Sequence, residues 1–443
     1  MNIKDNINKI SWSILDKGLF IIFGFITLFQ IKNLKPEEFG VFSLVWALNN
    51  WLLMINDSFS LQGLVQFGAD YKLRPKVNFI SLVLNLFMMF LIPSVLFLFA
   101  FLYRDNLSPN LYVSFIYLPL FTLTTIPRST VLKILTREFR YKDIFFVNLV
   151  YFGSMTILTF YYIFIYKDLN FELMLMIFIS GGVLSSIFSI ILARKSLKIK
   201  YDKNENKDFT FKKYITFSIP MTLISAFQTI PRSMDIFFIE LTMNPINSAY
   251  YIGIYNSAKT LFRVIEESTS AAYGLLYPVA VKYINLKDDV SLKKVFTKAI
   301  SNLLLVYVLI VIVSLLGASE FLIKLVLPEK YYEAISIFNM LIFASLPMPF
   351  ILLLLALTAD NKPMQVLYCV IFAGVFAVIT FILAGYSNNI NLMPLGIIVY
   401  NLILGILGYW TFKKKYNINI KDLLISLIDI KNFVKNYIIS NRK

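Results

Sequence analysis

Apolar residues fill this chain in blocks of about 20, the length a helix needs to cross the hydrocarbon core of a bilayer. Short polar breaks separate them. The pattern predicts twelve spans, at 10–31, 39–59, 77–103, 110–127, 143–166, 171–193, 214–239, 248–275, 299–321, 335–358, 364–385 and 393–412. The longest polar interruption, Arg194–Lys213, divides them six and six. The expected organisation is therefore an N-terminal six-helix bundle over 1–193, a cytoplasmic linker over 194–213 and a C-terminal six-helix bundle over 214–412. A basic, amphipathic tail follows over 413–443. This is an all-α polytopic membrane protein of twelve helices, in a plan common among transporters, which bind substrate at the interface between halves.

A trace of internal repetition supports the halving. Glu38-Phe39-Gly40-Val41-Phe42 opens the second span and Tyr251-Ile252-Gly253-Ile254-Tyr255 the eighth, so Gly-x-aromatic recurs 213 residues apart. A second echo, Ile126-Pro127-Arg128-Ser129 against Ile230-Pro231-Arg232-Ser233, has the wrong offset for a half-repeat and is read as chance. Proline falls inside the fourth span (Pro119, Pro127), the seventh (Pro220, Pro231) and the tenth (Pro347, Pro349). Each removes a backbone donor and can kink its helix. In the tail, Leu423, Leu427, Ile430, Val434 and Ile438 recur at three- and four-residue steps after Lys413-Lys414-Lys415. That pattern predicts a helix lying on the anionic lipids of the inner leaflet.

Composition agrees, with 58% hydrophobic residues and 15% charged. A net charge of +16 would suit a nucleic-acid partner, but its distribution argues otherwise. With the N-terminus inside, internal segments carry 32 Lys and Arg and external loops 6. This positive-inside asymmetry assigns both termini to the cytoplasm and leaves no call for nucleic acid. No cleavable leader is expected, because the polar start is followed by no small-residue cleavage site. The chain has no His and one cysteine, Cys369, so an internal disulfide is impossible and a His or Cys metal centre is not expected.

The remaining four cations, Lys17, Arg232, Lys259 and Arg263, lie within the predicted spans. A charge at mid-bilayer costs at least ~2.5–3.5 kcal/mol, so such residues face a bundle interior or a watery cavity. Lys259, Arg263 and Glu266 or Glu267 follow steps of four and three and share one helix face, as do Gln228, Arg232 and Asp235. Asp16 and Lys17 lie in the first span, with Trp12 one turn earlier. Asn49, Asn50, Asn56 and Asp57 lie in the second. All fall on the first two helices of a half. Two readings follow. Acids and bases neutralise one another, or a hydrated cationic cavity receives an anionic headgroup such as a diphosphate. In the second, Asp16, Asp57, Asp235, Glu266 and Glu267 balance charge or carry a coupling proton or cation. There is no P-loop and no glycine-rich dinucleotide turn. Neither a cofactor nor catalysis is expected, and pumping would draw on a proton or sodium gradient or on the substrate's own gradient.

Several stretches resemble the bacterial polysaccharide-repeat flippases, the O-antigen and capsule branch of the superfamily that also holds multidrug extruders. Leu34-Lys35-Pro36-Glu37-Glu38-Phe39-Gly40-Val41-Phe42 is similar to that family's opening motif, and Leu135 to Lys142 to its basic-aromatic loop after the fourth span. Phe217-Ser218-Ile219-Pro220, Arg232 with Asp235, Gly253 to Ala258, and Tyr277-Pro278 continue the likeness in order. It covers most of the first eight spans and thins afterwards. The resemblance implies two six-helix bundles of the multidrug-extruder type around a central cavity, working by alternating access in the bacterial cytoplasmic membrane. It implies a polyprenyl-diphosphate-linked oligosaccharide as substrate, glycan polymerase and chain-length machinery as partners, and by position diphosphate-binding roles for Lys17, Arg232, Lys259 and Arg263. Two alternatives stay open. A drug or cation antiporter of the same fold would want an acidic cavity. A polytopic glycan polymerase or glycosyltransferase would want a long external loop, whereas the segments around 322–334 and 240–248 are short.

Overall fold

Backbone groups in lipid have no water to bond to, so a chain this apolar must satisfy them within helices or a closed barrel. The computed structural model takes the first course. It describes residues 3–68, 70–197, 209–244, 247–360, 362–419 and 421–422, and among them every extended element is helical. The order is α1 (Ile3–Asn33), α2 (Pro36–Phe67), α3 (Arg74–Leu102), α4 (Pro109–Arg137), α5 (Tyr141–Tyr166) and α6 (Phe171–Ala193). Then come α7 (211–242), α8 (Ser248–Asn285), α9 (Asp289–Val326), α10 (334–359), α11 (Pro363–Tyr386) and α12 (Pro394–Tyr416).

A helix occupies each predicted span. Among the described residues eight are long and apolar enough to cross a membrane. A ninth crossing counts if Ala334–Phe343 and Met348–Ala359, bent by 45° at Pro347, form one. The other three helices, α1, α7 and α8, are those that carry Lys17, Arg232, Lys259 and Arg263. Several helices outrun their apolar stretch. The fourth span, expected to end at Pro127, continues as helix to Arg137, because Pro127 is absorbed without a break. α2 runs to Phe67 through a π-helical turn, Asp57–Leu61. α7 is interrupted by another at Ile230–Met234, where Pro231 cannot donate to the regular ladder. The amphipathic tail beyond Asp422 lies outside the described residues.

The chain divides into two compact units, Met1–Ile254 and Tyr255–Lys443. In the first, Phe42 and Trp46 of α2 pack with Phe121 of α4 and Phe178 of α6, the Trp46 and Phe178 rings 4.8 Å apart. Beside this apolar centre runs a buried polar ladder. Asn56 Nδ2 donates to Asn85 Oδ1 at 2.8 Å, Asn85 donates on to Thr130, and Ser81 and Tyr214 hydroxyls both donate to the Ser60 carbonyl. Buried polar groups need such partners, and these bonds tie α2, α3, α4 and α7 in one register.

The motif opening α2 has a physical reading. Pro36 takes the first helical turn, where no backbone donor is needed, and the Glu38 carboxylate accepts from the Lys35 amide at 3.2 Å. Gly40 allows a close helix approach: a Cβ there would stand 1.8 Å from the Ala249 carbonyl oxygen of α8. Reciprocally, a Cβ on Gly253 would stand 1.9 Å from the Pro36 carbonyl oxygen.

In the second unit Leu276, Leu292, Phe296, Ile300, Leu352 and Phe412 form the core. Gly405 and Gly408 of α12 admit the backbone of Pro347 and Phe350 at the α10 bend, and Asn401 Nδ2 donates to the Ala344 carbonyl at 3.0 Å. The freed carbonyl of a broken helix is thereby satisfied. Large apolar side chains such as Phe25, Phe90, Ile157 and Leu316 point outward, as lipid contact requires.

Candidate functional site

The polar groups within the membrane helices fall into two sets, one in each unit. In the first unit, Asp16 of α1 is half-buried and accepts from Asn148 Nδ2 of α5 at 2.7 Å. Asn148 Oδ1 in turn accepts from Arg128 Nη2 of α4 at 2.6 Å, and the Arg128 guanidinium lies 3.9 Å from the centre of the Tyr151 ring. An acid, an amide and a base from three helices thus form one chain of charge-assisted bonds. The Arg128 Nε is enclosed without a partner among the described residues.

Asp57, at the π-helical turn of α2, pairs with Lys133 of α4 at 2.8 Å. Lys17 is exposed, with its ammonium 5.5 Å from the Phe20 ring centre. It does not pair with the adjacent Asp16, because neighbouring residues leave a helix in different directions. Arg232 sits exposed in the π-helical turn of α7, and Asp235, first residue of the segment after it, is completely buried.

In the second unit, α8 carries Lys259, completely buried, with its ammonium 5.9 Å from the Tyr255 ring centre. One turn on, Arg263 is half-buried, as is Glu266, while Glu267 is exposed. Among the described residues Arg263, Glu266 and Glu267 form no ion pair, so the four-and-three spacing does not make a local salt bridge. Arg263 therefore keeps an uncommitted guanidinium with five donors in a planar fork, suited to phosphate or carboxylate oxygens.

Sequence reasoning missed Arg128, Asn148 and Lys133. Arg128 and Lys133 were assigned to a loop because Pro127 was read as the end of a span, and Asn148 stood in an apolar run with nothing to mark it. A helix that continues through Pro127 would have put Arg128 inside the membrane. Within the basic-aromatic stretch Leu135–Lys142, residues 138–140 form a tight turn between α4 and α5: Phe139 takes φ 56° and stays exposed, while Arg140 pairs with Asp143 at 2.6 Å and donates to Ser196 at 3.1 Å. Among the described residues no three His, Cys, Asp or Glu side chains gather to hold a metal.

The family described as "Polysaccharide biosynthesis protein" matches residues 7–284. No curated protein matches significantly. Among solved structures, an inward-facing multidrug resistance MATE family transporter of the MOP superfamily is 14% identical with a TM-score of 0.73, over 90% of this chain and 94% of that one. The same kind of transporter in an outward-facing conformation gives 15% and 0.62, over 91% and 93%. A MOP superfamily transporter from Pyrococcus furiosus, described as having a binding pocket of reverse polarity that suggests a different function, gives 15% and 0.63, over 92% and 94%. These likenesses establish a multi-pass membrane fold shared with MOP superfamily transporters.

Proposed function

The chain belongs to the polysaccharide biosynthesis protein family, and from that premise we propose that it is a flippase. It moves polyprenyl-diphosphate-linked oligosaccharide repeat units across the bacterial cytoplasmic membrane for surface polysaccharide assembly. The observation that carries the reading is the pair Lys259 and Arg263, one turn apart on α8, with the first fully enclosed and the second free of ion pairs among the described residues. An arginine kept inside a membrane helix with no ion pair among the described residues, at a cost of about 2.5–3.5 kcal/mol, is best accounted for by an anionic group that visits it. A diphosphate supplies that charge, and Arg263 adds a forked set of donors for its oxygens.

Translocation by alternating access would use Lys259 and Arg263, with Lys17 and Arg232, to replace the water and counter-ions around the diphosphate. Asp16, Asp57, Asp235, Glu266 and Glu267 are the candidates for charge balance or for coupling to a proton or sodium gradient. The 32-to-6 distribution of basic residues supports cytoplasmic termini, with Lys413, Lys414 and Lys415 beside anionic headgroups of the inner leaflet.

A second reading, a cation or drug antiporter, draws support from the multidrug neighbours in fold and from the half-buried Asp16 carboxylate, whose oxygens can bind a cation. One experiment separates the two. Proteoliposomes holding the purified chain are offered a polyprenyl-diphosphate oligosaccharide and the same glycan on a neutral lipid, with proton and sodium gradients imposed. The flippase reading expects translocation of the diphosphate form alone. Translocation of neither lipid, with uptake of organic cations instead, overturns it.

A further inference from the structure

The crossing of α2 and α8 gives a register for the internal repeat. Gly40 abuts the carbonyl of Ala249 and Gly253 abuts the carbonyl of Pro36. Residues 36 and 249 are 213 apart, as are 40 and 253, so the offset of the sequence echo is also the offset at which the two helices meet reciprocally. Each helix then runs on without slip from its glycine to a position six residues later and another at ten. On α8 these are Lys259 and Arg263; on α2 they are Trp46 and Asn50. Equivalent positions in the two halves thus carry opposite chemistry: two cations in one, an indole and an amide in the other.

The α2 pair looks unfinished as packing. One edge of Trp46 is held by Phe178 and Phe121, yet the residue stays half-buried and its indole N–H donates to no acceptor among the described residues. Asn50, one turn on, is half-buried with no hydrogen bond from its amide among the described residues. Its neighbour Asn49 is completely buried, and both amide atoms lack partners. Lipid does not tolerate unpaired amides, and buried ones call for water or a bound polar group. An aromatic surface beside free donors and acceptors is the equipment for binding a sugar ring, whose C–H face packs on the indole while its hydroxyls bond the amide.

We propose that Trp46 and Asn50, with Asn49 behind them, form a glycan-recognising subsite for the neutral or N-acetylated pyranose units of the lipid-linked substrate. The inference rests on the flippase reading and divides the labour within it: the first half reads sugar and the second compensates diphosphate charge.

Equilibrium binding to the full chain in nanodiscs tests it with two probes. One is bare polyprenyl diphosphate. The other is the lipid-linked oligosaccharide pool extracted from cells whose translocation step is blocked, which contains the natural glycan whatever its identity. Wild type binds the glycosylated pool more tightly than the bare lipid. Trp46→Phe, Trp46→Tyr and Asn50→Ala each lower affinity for the pool roughly fivefold, the loss expected for one hydrogen bond or part of a ring contact. They leave the bare lipid unchanged. Asn50→Ala guards against a Trp46 variant that merely loosens the phenylalanine cluster, and thermal stability is measured for each. Equal binding of pool and bare lipid by wild type, or variants that lower both alike or neither, overturns the sugar subsite and leaves the flippase standing. Failure of wild type to bind either probe overturns the flippase reading and this inference with it.

Discussion

Replacing Gly40 by alanine tests the reciprocal crossing more sharply than any other single change. The added Cβ would lie 1.8 Å from the Ala249 carbonyl oxygen, and at Gly253 the corresponding distance to the Pro36 carbonyl is 1.9 Å. A carbon settles about 3.3–3.6 Å from a carbonyl oxygen, so α2 and α8 must part by on the order of 1.5 Å. The obstacle is backbone on both sides, which cannot swing away as a side chain can. Overpacking of this kind costs ~1–3 kcal/mol, and the close Cα–H to oxygen contacts it lengthens carry ~0.5–1 kcal/mol each. Gly40→Ala and Gly253→Ala should therefore each lose about 2 kcal/mol or more. For a unit of this size that is a fall of roughly 4–8 °C in melting temperature. The double variant should lose less than the sum, because the first methyl already separates the helices that the second would meet. Gly18→Ala, Gly24→Ala and Gly153→Ala are the controls: a Cβ there meets nothing within 4 Å, and each should be neutral or gain up to about 1 kcal/mol in helix propensity. Thermal unfolding of the purified proteins in one detergent provides the readout. Melting of Gly40→Ala alongside Gly18→Ala, or full additivity of the pair, would refute the crossing.

Asp16→Ala strands the Asn148 amide and removes the acid next in the chain to Arg128, so it should destabilise by ~1–3 kcal/mol, whereas Asp16→Asn keeps an acceptor and should cost less; thermal unfolding compares them. Asp360 bonds Lys362 at 2.7 Å and Lys415 at 2.8 Å, and these ammonium groups hold its carboxyl below the usual carboxylate range. Its contribution is complete above the unfolded value of about 3.9 and is lost as pH falls through the lower folded value. Stability scanned from pH 6 down to 3 should show a shallower acid limb in Asp360→Asn than in wild type. Lys413 and Lys414, exposed in the last turn of α12, should alter insertion or abundance more than turnover when both become Gln, read as membrane yield against rate per inserted molecule.

Helix positions were legible because lipid imposes a single rule, that apolar blocks of fixed length become helices, and the family motif at Lys35–Gly40 marked a cap and a crossing that the structure contains. Helix ends were less legible. Nothing in the sequence tells that Pro127 is tolerated, since that depends on neighbouring helices, and the error hid Arg128. Asp16 was identified as a polar residue worth attention, but its partner Asn148 lies 132 residues away on α5, and such pairing is a property of packing. The Gly40 and Gly253 echo was faint as a pattern of letters. It became meaningful once each glycine was found against the backbone turn that opens the other's helix. Conversely, the spacing of Arg263 with Glu266 and Glu267 invited a salt bridge that is not formed among the described residues.

The central claim, that Lys259 and Arg263 on α8 compensate a diphosphate, is tested most directly by translocation with both neutralised. Lys259→Gln and Arg263→Gln are combined in one chain, its insertion and monodispersity are verified, and flipping of the polyprenyl-diphosphate oligosaccharide is measured in proteoliposomes. The account predicts loss of translocation with normal insertion. Wild-type translocation by the well-inserted double variant would contradict it.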